Sequence, residues 1–208
     1  MSQFFQIHPE TPQPRLVRRA MEILRQGGVL VYPTDSSYAL GCRIGEKNAM
    51  ARIQLIRRTD KEHNFTLVCR DLSEIATYAR VDNIQYRLLK AATPGPFTFI
   101  LRATSEVPRR LQNPKRRTIG IRVPEHVIVR TLLEDLGEPI LSTTLILPGE
   151  DVPLNDMDEV RLRLEKQVDL IIDGGHCGHQ PTTVLDLVEG VPTVLRQGKG
   201  DAAPFLAD

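Results

Sequence analysis

Hydroxyl side chains and arginines gather in this chain at points where apolar runs break off. Pro33-Thr34-Asp35-Ser36-Ser37-Tyr38 directly follows Val29-Leu30-Val31-Tyr32. Short hydroxyls in that place can hold a carboxylate or phosphate oxygen, and Tyr38 adds an apolar ring with a polar tip. An Asp/Ser turn without a ligand has the same local sequence. Ser142-Thr143-Thr144 interrupts a second apolar run, where hydroxyls need a partner or a ligand. Arg122 and Arg196 each end a predicted strand, where a guanidinium can clamp an anion bidentately or close a structural ion pair.

Other catalytic patterns are missing. His176-Cys177-Gly178-His179 offers two histidines and a cysteine with no fourth ligand nearby, and Cys42 and Cys69 are not in CxxC spacing. A glycine-rich loop holding a packed cysteine is the better reading, so no metal site is assigned. GxxxxGK[ST], GxGxxG and HExxH do not occur. No Ser-His-Asp or Cys-His set can be assembled, and no residue is assigned as catalytic.

The elements that must position these groups follow from periodicity. Thr11-Pro12 predicts a helix start, with Leu16, Val17, Ala20, Met21, Ile23 and Leu24 at helical spacing and Gly27-Gly28 as the stop. Further helices are predicted on Met50, Ile53 and Ile56, ending near Arg57, and behind Asp82, with Ile84, Leu88, Leu89 and Ala92 inward. Another runs through Ile128, Val129, Leu132, Leu133 and Leu136, and a short one through Val160, Leu162 and Leu164. Strands are predicted at 29–32, 65–69, 97–101, 118–123, 140–147 and 168–172, with an antiparallel hairpin around Glu189-Gly190. Strands separated by helices require parallel pairing and the hairpin requires antiparallel pairing. The expected class is α/β, a single domain with a mixed sheet and helices packed on it.

The 208 residues are 41% hydrophobic and 25% charged, which excludes collagenous, coiled-coil and largely disordered chains. A chain of this length buries roughly 70% of its unfolded surface and needs no disulfides to fold. No apolar run approaches the ~18 residues of a membrane span. Three cysteines and an N-terminus without a basic, apolar leader point to a reducing compartment, the cytoplasm. The net charge of +1 conceals a dipolar layout. Seven basic residues and one acid lie between Arg102 and Arg122, and five acids and no base between Glu150 and Glu159. Phosphate-bearing partners suit the first block, and a solvated loop has the same composition.

Taken in order, these segments resemble the YrdC-like family, which includes the L-threonylcarbamoyladenylate synthases of tRNA modification. The run Pro33-Thr34-Asp35-Ser36-Ser37-Tyr38-Ala39-Leu40-Gly41-Cys42 is similar to the family's PTDTxYGLGC, and Pro94-Gly95-Pro96-Phe97-Thr98-Phe99-Ile100-Leu101 to its PGPxTxIL. The likeness continues through Thr118-Ile119-Gly120-Ile121-Arg122-Val123-Pro124, Pro139-Ile140-Leu141-Ser142-Thr143-Thr144, Pro181-Thr182-Thr183-Val184-Leu185-Asp186 and Leu195-Arg196-Gln197-Gly198. Ile7-His8-Pro9 and His63-Asn64-Phe65-Thr66-Leu67 resemble the YciO branch more than the synthase branch.

The resemblance implies one domain over residues 10–200, with terminal extensions at 1–9 and 201–208, and a twisted mixed sheet forming a concave electropositive cavity. It implies ATP, L-threonine and bicarbonate as ligands, Mg²⁺ entering through the triphosphate, and no membrane. Thr34, Ser36 and Tyr38 are expected on the threonyl group. Arg57, Arg122, Ser142, Thr144 and Arg196 are expected on carbamate and phosphate, with Thr98 and Thr183 lining the cavity. His63 takes a place where synthases carry lysine, or is a satisfied loop histidine. Arg109, Arg110, Lys115, Arg116 and Arg117 are candidates for tRNA or double-stranded RNA, in a binding module without synthase activity as the alternative function.

Two family motifs are altered. A gapless alignment puts Arg57-Arg58-Thr59 at the family's KxR, losing the second cation, while a gap would place Arg58 there instead. The family's SxN reads Thr144-Leu145-Ile146, and Ile146 has no hydrogen-bonding group. Synthase activity of reduced or altered kind is the expectation.

Overall fold

The computed structural model describes residues 2–59 and 64–205. The chain begins with β1 (Gln3–Gln6), α1 (Pro14–Arg25), β2 (Leu30–Tyr32), β3 (Ala39–Arg43) and α2 (Lys47–Arg57). It continues through β4 (Thr66–Val68), α3 (Leu72–Tyr78), β5 (Ala79–Arg80), α4 (Asn83–Ala92), β6 (Phe97–Ala103) and β7 (Thr118–Arg122). The last third holds α5 (Val127–Leu136), β8 (Ile140–Thr144), α6 (Met157–Leu164), β9 (Leu170–Asp173), β10 (Thr183–Asp186) and β11 (Thr193–Arg196).

Local chemistry moves some of these starts. Helix α1 opens at Pro14, two residues past the Thr11-Pro12 expected from sequence. Thr11 instead belongs to a turn around His8, whose Nδ1 accepts the Thr11 amide at 3.1 Å and lies 3.0 Å from the Thr11 hydroxyl, and Gln13 precedes the helix without a side-chain cap. Helix α4 has the expected Asp82 cap, completed by Gln85 into a capping box. Gln85 also donates to the Leu187 carbonyl at 2.6 Å, which turns Gln85, Leu89 and Ala92 inward. Ile84, expected inside, is consequently 62% exposed, and Leu162 of α6 is 83% exposed for want of a facing element.

The strands form one mixed sheet in the order β1-β9-β2-β3-β8-β4-β7-β6-β10-β11, with β5 beside β6. Pairs β1/β9, β2/β9, β4/β7 and β6/β10 are parallel. Pairs β2/β3, β3/β8, β4/β8, β6/β7 and β10/β11 are antiparallel. The class expected from sequence holds. Residues 3–6, left outside the domain by the sequence reading, are an edge strand, and Ile7 behind them is buried. At the other end Ala202 and Phe205 are buried too, so the sheet and core extend beyond 10–200.

Alternation along the strands gives the sheet two different faces. One carries Leu67, Phe99, Leu101, Ile119, Ile121, Leu141 and Leu185, and is covered by residues of α2, α3, α4 and α6. The other carries Leu30, Tyr32, Ala39, Val68, Ile140, Leu170 and Ile172 under α1 and α5. Those two helices cover only part of their face. Beyond them lies the surface where the candidate residues meet.

Candidate functional site

The uncovered part of the second face is floored by side chains in register. Ser142 pairs with Thr66, Thr66 with Gly120, and Gly120 with Ile100, while Thr98 pairs with Val184. At the spacing of adjacent strands, the row from β8 to β6 is about 14 Å wide. Gly120 keeps this floor low: a Cβ there would lie 3.2 Å from Thr66 Oγ1 and 3.4 Å from Thr98 Cγ2. The resulting hollow has a volume of about 330 Å³, within the range of small-molecule sites.

Three guanidiniums enter it. Arg57, the last residue of α2, donates through Nε to the Ile146 carbonyl at 3.0 Å and through its terminal nitrogen to Thr143 Oγ1 at 2.5 Å. The KxR and SxN positions thus adjoin in space. Arg58 adopts the left-handed conformation that ends α2 and does not line the hollow, so the cation at the first KxR position is the one that faces it. Arg196, closing β11, is held by two donations to the Thr182 carbonyl at 2.9 and 3.1 Å. Thr182 in turn meets Thr98 hydroxyl to hydroxyl at 2.8 Å. Burial pulls the pKa values of Arg57 and Arg196 down from the usual guanidinium range, and for Arg196 the Arg122 charge adds to the effect.

Arg122, closing β7, is the most enclosed of the three. It forms an ion pair with Asp35, both side chains at least nine-tenths buried, and lies 3.3 Å from Ser36 Oγ. Its Nε is buried without a hydrogen-bond partner. Asp35 is fixed from its other side by the Glu125 amide at 3.0 Å. Ser142 also faces the hollow, but its hydroxyl accepts from Tyr32 at 2.7 Å and reaches the Leu40 carbonyl at 3.2 Å. Burial pushes the Tyr32 phenol up to about 12, so it stays a neutral donor.

Of the residues singled out in the sequence, Arg57, Thr98, Arg122, Ser142, Thr144 and Arg196 come together here. Four others do not line the hollow. Tyr38 precedes Ala39 on β3 and so points to the opposite face, where it is fully buried and donates to the Gly175 carbonyl at 2.7 Å. Thr34 closes a turn, donating to the Ser37 carbonyl at 2.6 Å, and Ser36 is buried behind Arg122. Thr183 sits on the apolar side of β10, accepting the Gly198 amide at 2.9 Å. His63 lies outside the described residues.

The hollow also contains Ser37, Asn64, Thr66, Thr143 and Thr182, which sequence reasoning did not select. Strand parity carries the signal for two of them. Thr66 falls between Phe65 and Leu67, and Thr182 is out of phase with Leu185 and Leu187. Of the basic run, Arg109, Arg116 and Arg117 line a separate hollow, Arg110 donates to the Gly45 carbonyl, and Lys115 is exposed.

Among the described residues, the lining of the first hollow includes no carboxylate, imidazole or thiol. The described lining suits holding and orienting an anion. No helix among the described residues is long and apolar enough to cross a membrane.

Comparison with known proteins agrees with this geometry. The Sua5/YciO/YrdC family model, described as telomere recombination, matches residues 22–198. The YciO protein of Escherichia coli K12 is 61% identical over 206 residues, covering 99% of this chain and all of that protein. Its crystal structure superposes with a TM-score of 0.96 over 99% of this chain and 100% of that one. A threonylcarbamoyl-AMP synthase of Coxiella burnetii is 29% identical over 176 residues, covering 84% of this chain and 94% of that protein. The crystal structure of P. abyssi Sua5 complexed with L-threonine is 26% identical, with a TM-score of 0.86 over 95% of this chain and 58% of that one. With the ordered motifs, the sheet and the arginine-lined hollow all in agreement, the chain belongs to the Sua5/YciO/YrdC family, on its YciO branch.

Proposed function

We propose that the chain is a threonylcarbamoyl-AMP synthase-like enzyme of reduced or altered activity, using ATP, L-threonine and bicarbonate and linked to tRNA modification. The observation that carries this reading is the hollow itself, with three guanidiniums over a floor of hydroxyls. The reaction has matching needs. Bicarbonate and the threonine amine condense to a carbamate with loss of water. A carbamate oxygen then attacks the α-phosphorus, and the bond to the β-phosphate breaks to release pyrophosphate. Both reactants are anions, so neutralisation and alignment dominate the barrier.

Arg57, Arg122 and Arg196 are assigned to the carbamate and phosphate oxygens, with the Thr66, Thr98 and Thr144 hydroxyls beneath them. The unpartnered Nε of Arg122 is a donor available to such an oxygen. Mg²⁺ is assigned to the substrate, as an ion that arrives bound to the triphosphate. The synthase named in Coxiella and the threonine held by P. abyssi Sua5 support the same substrates. Ile146 in the lining supports reduced activity, since an apolar side chain occupies the place of an amide.

The test is purified full-length protein with Mg²⁺ and ATP, assayed for pyrophosphate and, by mass spectrometry, for threonylcarbamoyl-AMP. Release that requires threonine and bicarbonate together is expected. ATP binding without such release would overturn the synthase and leave the nucleotide-binding alternative. The alternative reading, a binding module for tRNA or double-stranded RNA, would rest on the exposed basic side chains at 109–117. Binding that falls steeply with salt, survives R57A and weakens in R116A/R117A would mark it.

A further inference from the structure

A second hollow opens on the same sheet face, beyond the floor of the first. Its lining shares no residue with the first, and its volume is about 670 Å³. Arg102 lies two residues along β6 from Ile100, about 7 Å further on. Around it converge Arg80 from β5, Arg109, Arg116 and Arg117, five guanidiniums in one concavity. Asp186 holds Arg116 at 2.5 Å, and Glu189 holds Arg102 at 3.6 Å. Among the described residues, Arg80, Arg109 and Arg117 have no carboxylate partner. Like charges brought this close repel one another, and an anion between them removes that repulsion.

The loop that presents two of these arginines is firmly built. Asn113 accepts the Lys115 and Arg116 amides at 3.1 and 3.0 Å through its side chain, and the Arg117 amide at 2.8 Å through its carbonyl. The Arg117 carbonyl then accepts from Ala103 at 3.0 Å. Arg117 itself has φ +54°, a conformation that favours glycine or asparagine. A long cationic side chain is therefore held in a costly backbone geometry, and it lines the hollow.

We propose that this hollow binds a compact polyanion of two or more linked phosphates, separately from the first site. The arginines converge on one concavity instead of following a line, which suits a short polyphosphate better than successive phosphates of an RNA backbone. Among the described residues the lining contains no aromatic ring on which a base could stack, so the phosphates carry the recognition.

The test is calorimetric titration of the full chain with sodium tripolyphosphate. In R57A/R196A, which disables the first site, one equivalent is expected to bind and to weaken as salt rises. Adding R109A to that background, or R117G, is expected to weaken it at least about tenfold, the loss of one charge-assisted contact. R117G relieves the left-handed arginine, so its melting temperature is expected to be no lower than that of its parent, separating lost binding from lost fold. ATP is expected to match tripolyphosphate at this site within a few-fold. An absence of tripolyphosphate binding in R57A/R196A would overturn the proposal, as would binding indifferent to Arg109 and Arg117. An RNA duplex bound through those arginines that tripolyphosphate fails to displace would assign the surface to RNA instead. These readouts stand whether or not the chain releases pyrophosphate.

Discussion

Asp35→Asn isolates the charge that the fold has placed behind Arg122. The two side chains are only 8% and 9% exposed, and Arg122 Nε is already unpartnered. Asparagine keeps one acceptor for the Glu125 amide, now 3.0 Å from the carboxylate, and removes both the charge and the oxygen that face Arg122. Leaving one member of a buried pair without its partner costs about 3–5 kcal/mol. For a chain of this length, that loss lowers the melting temperature by roughly 10 °C. The double variant D35N/R122M leaves neither charge stranded and is expected to recover much of the loss.

The same variant reports on the site. With Asp35 neutral, a bound phosphate becomes the remaining counter-charge for Arg122. ATP should then stabilise D35N more than wild type, by about 1.4 kcal/mol for each tenfold gain in affinity. Urea unfolding gives the first quantity, and thermal shift with and without ATP gives the second. A D35N loss below about 1 kcal/mol, or a double variant as unstable as the two losses added, would refute the buried-pair reasoning. Equal ATP shifts in D35N and wild type would refute the placement of phosphate at Arg122.

Ile146→Asn is expected to raise pyrophosphate release about tenfold by restoring a hydrogen-bond donor to the hollow, and an unchanged rate in I146N/T59R would show the motif alignment to be wrong. Tyr38→Phe removes the donation to Gly175 and should cost about 1–2 kcal/mol in urea unfolding while sparing ATP affinity, as befits a side chain on the opposite face. Thr182→Val should instead weaken ATP binding several-fold, measured by titration, because its hydroxyl joins Thr98 and Arg196 at the rim. Burial lowers the pKa of His126, so the unfolded chain binds the extra proton first as pH falls. Its stability contribution is full above about pH 6.5, the unfolded value, and declines below it towards the folded value. The urea midpoint of H126N should accordingly fall less than that of wild type between pH 7 and 5.

Much of the scaffold is a matter of local chemistry, and local chemistry is written in neighbouring residues. The Asp82 cap, the glycine stop after α5 and the Glu189-Gly190 hairpin each depend on a few adjacent side chains, and each forms where the sequence places it. The ordered motifs likewise led to the family and to six residues of the hollow. Errors began where a neighbour distant in sequence intervened. Leu187, 102 residues away, drew Gln85 inward at the expense of Ile84.

The choice between adjacent residues belongs to the tertiary structure. Thr182 and Thr183 carry the same hydroxyl, yet one rims the hollow and the other is buried against Gly198 and Gly200, because successive residues of a strand face opposite ways. Parity becomes meaningful only when one face is known to be covered, and that depends on α1 and α5 covering part of their sheet face and leaving the rest bare. Composition announces the arginines. Pairing Arg122 with Asp35 across 87 residues, and leaving Arg80, Arg109 and Arg117 without such a partner among the described residues, required the chain to close on itself, since a charge acquires its role from what burial places beside it.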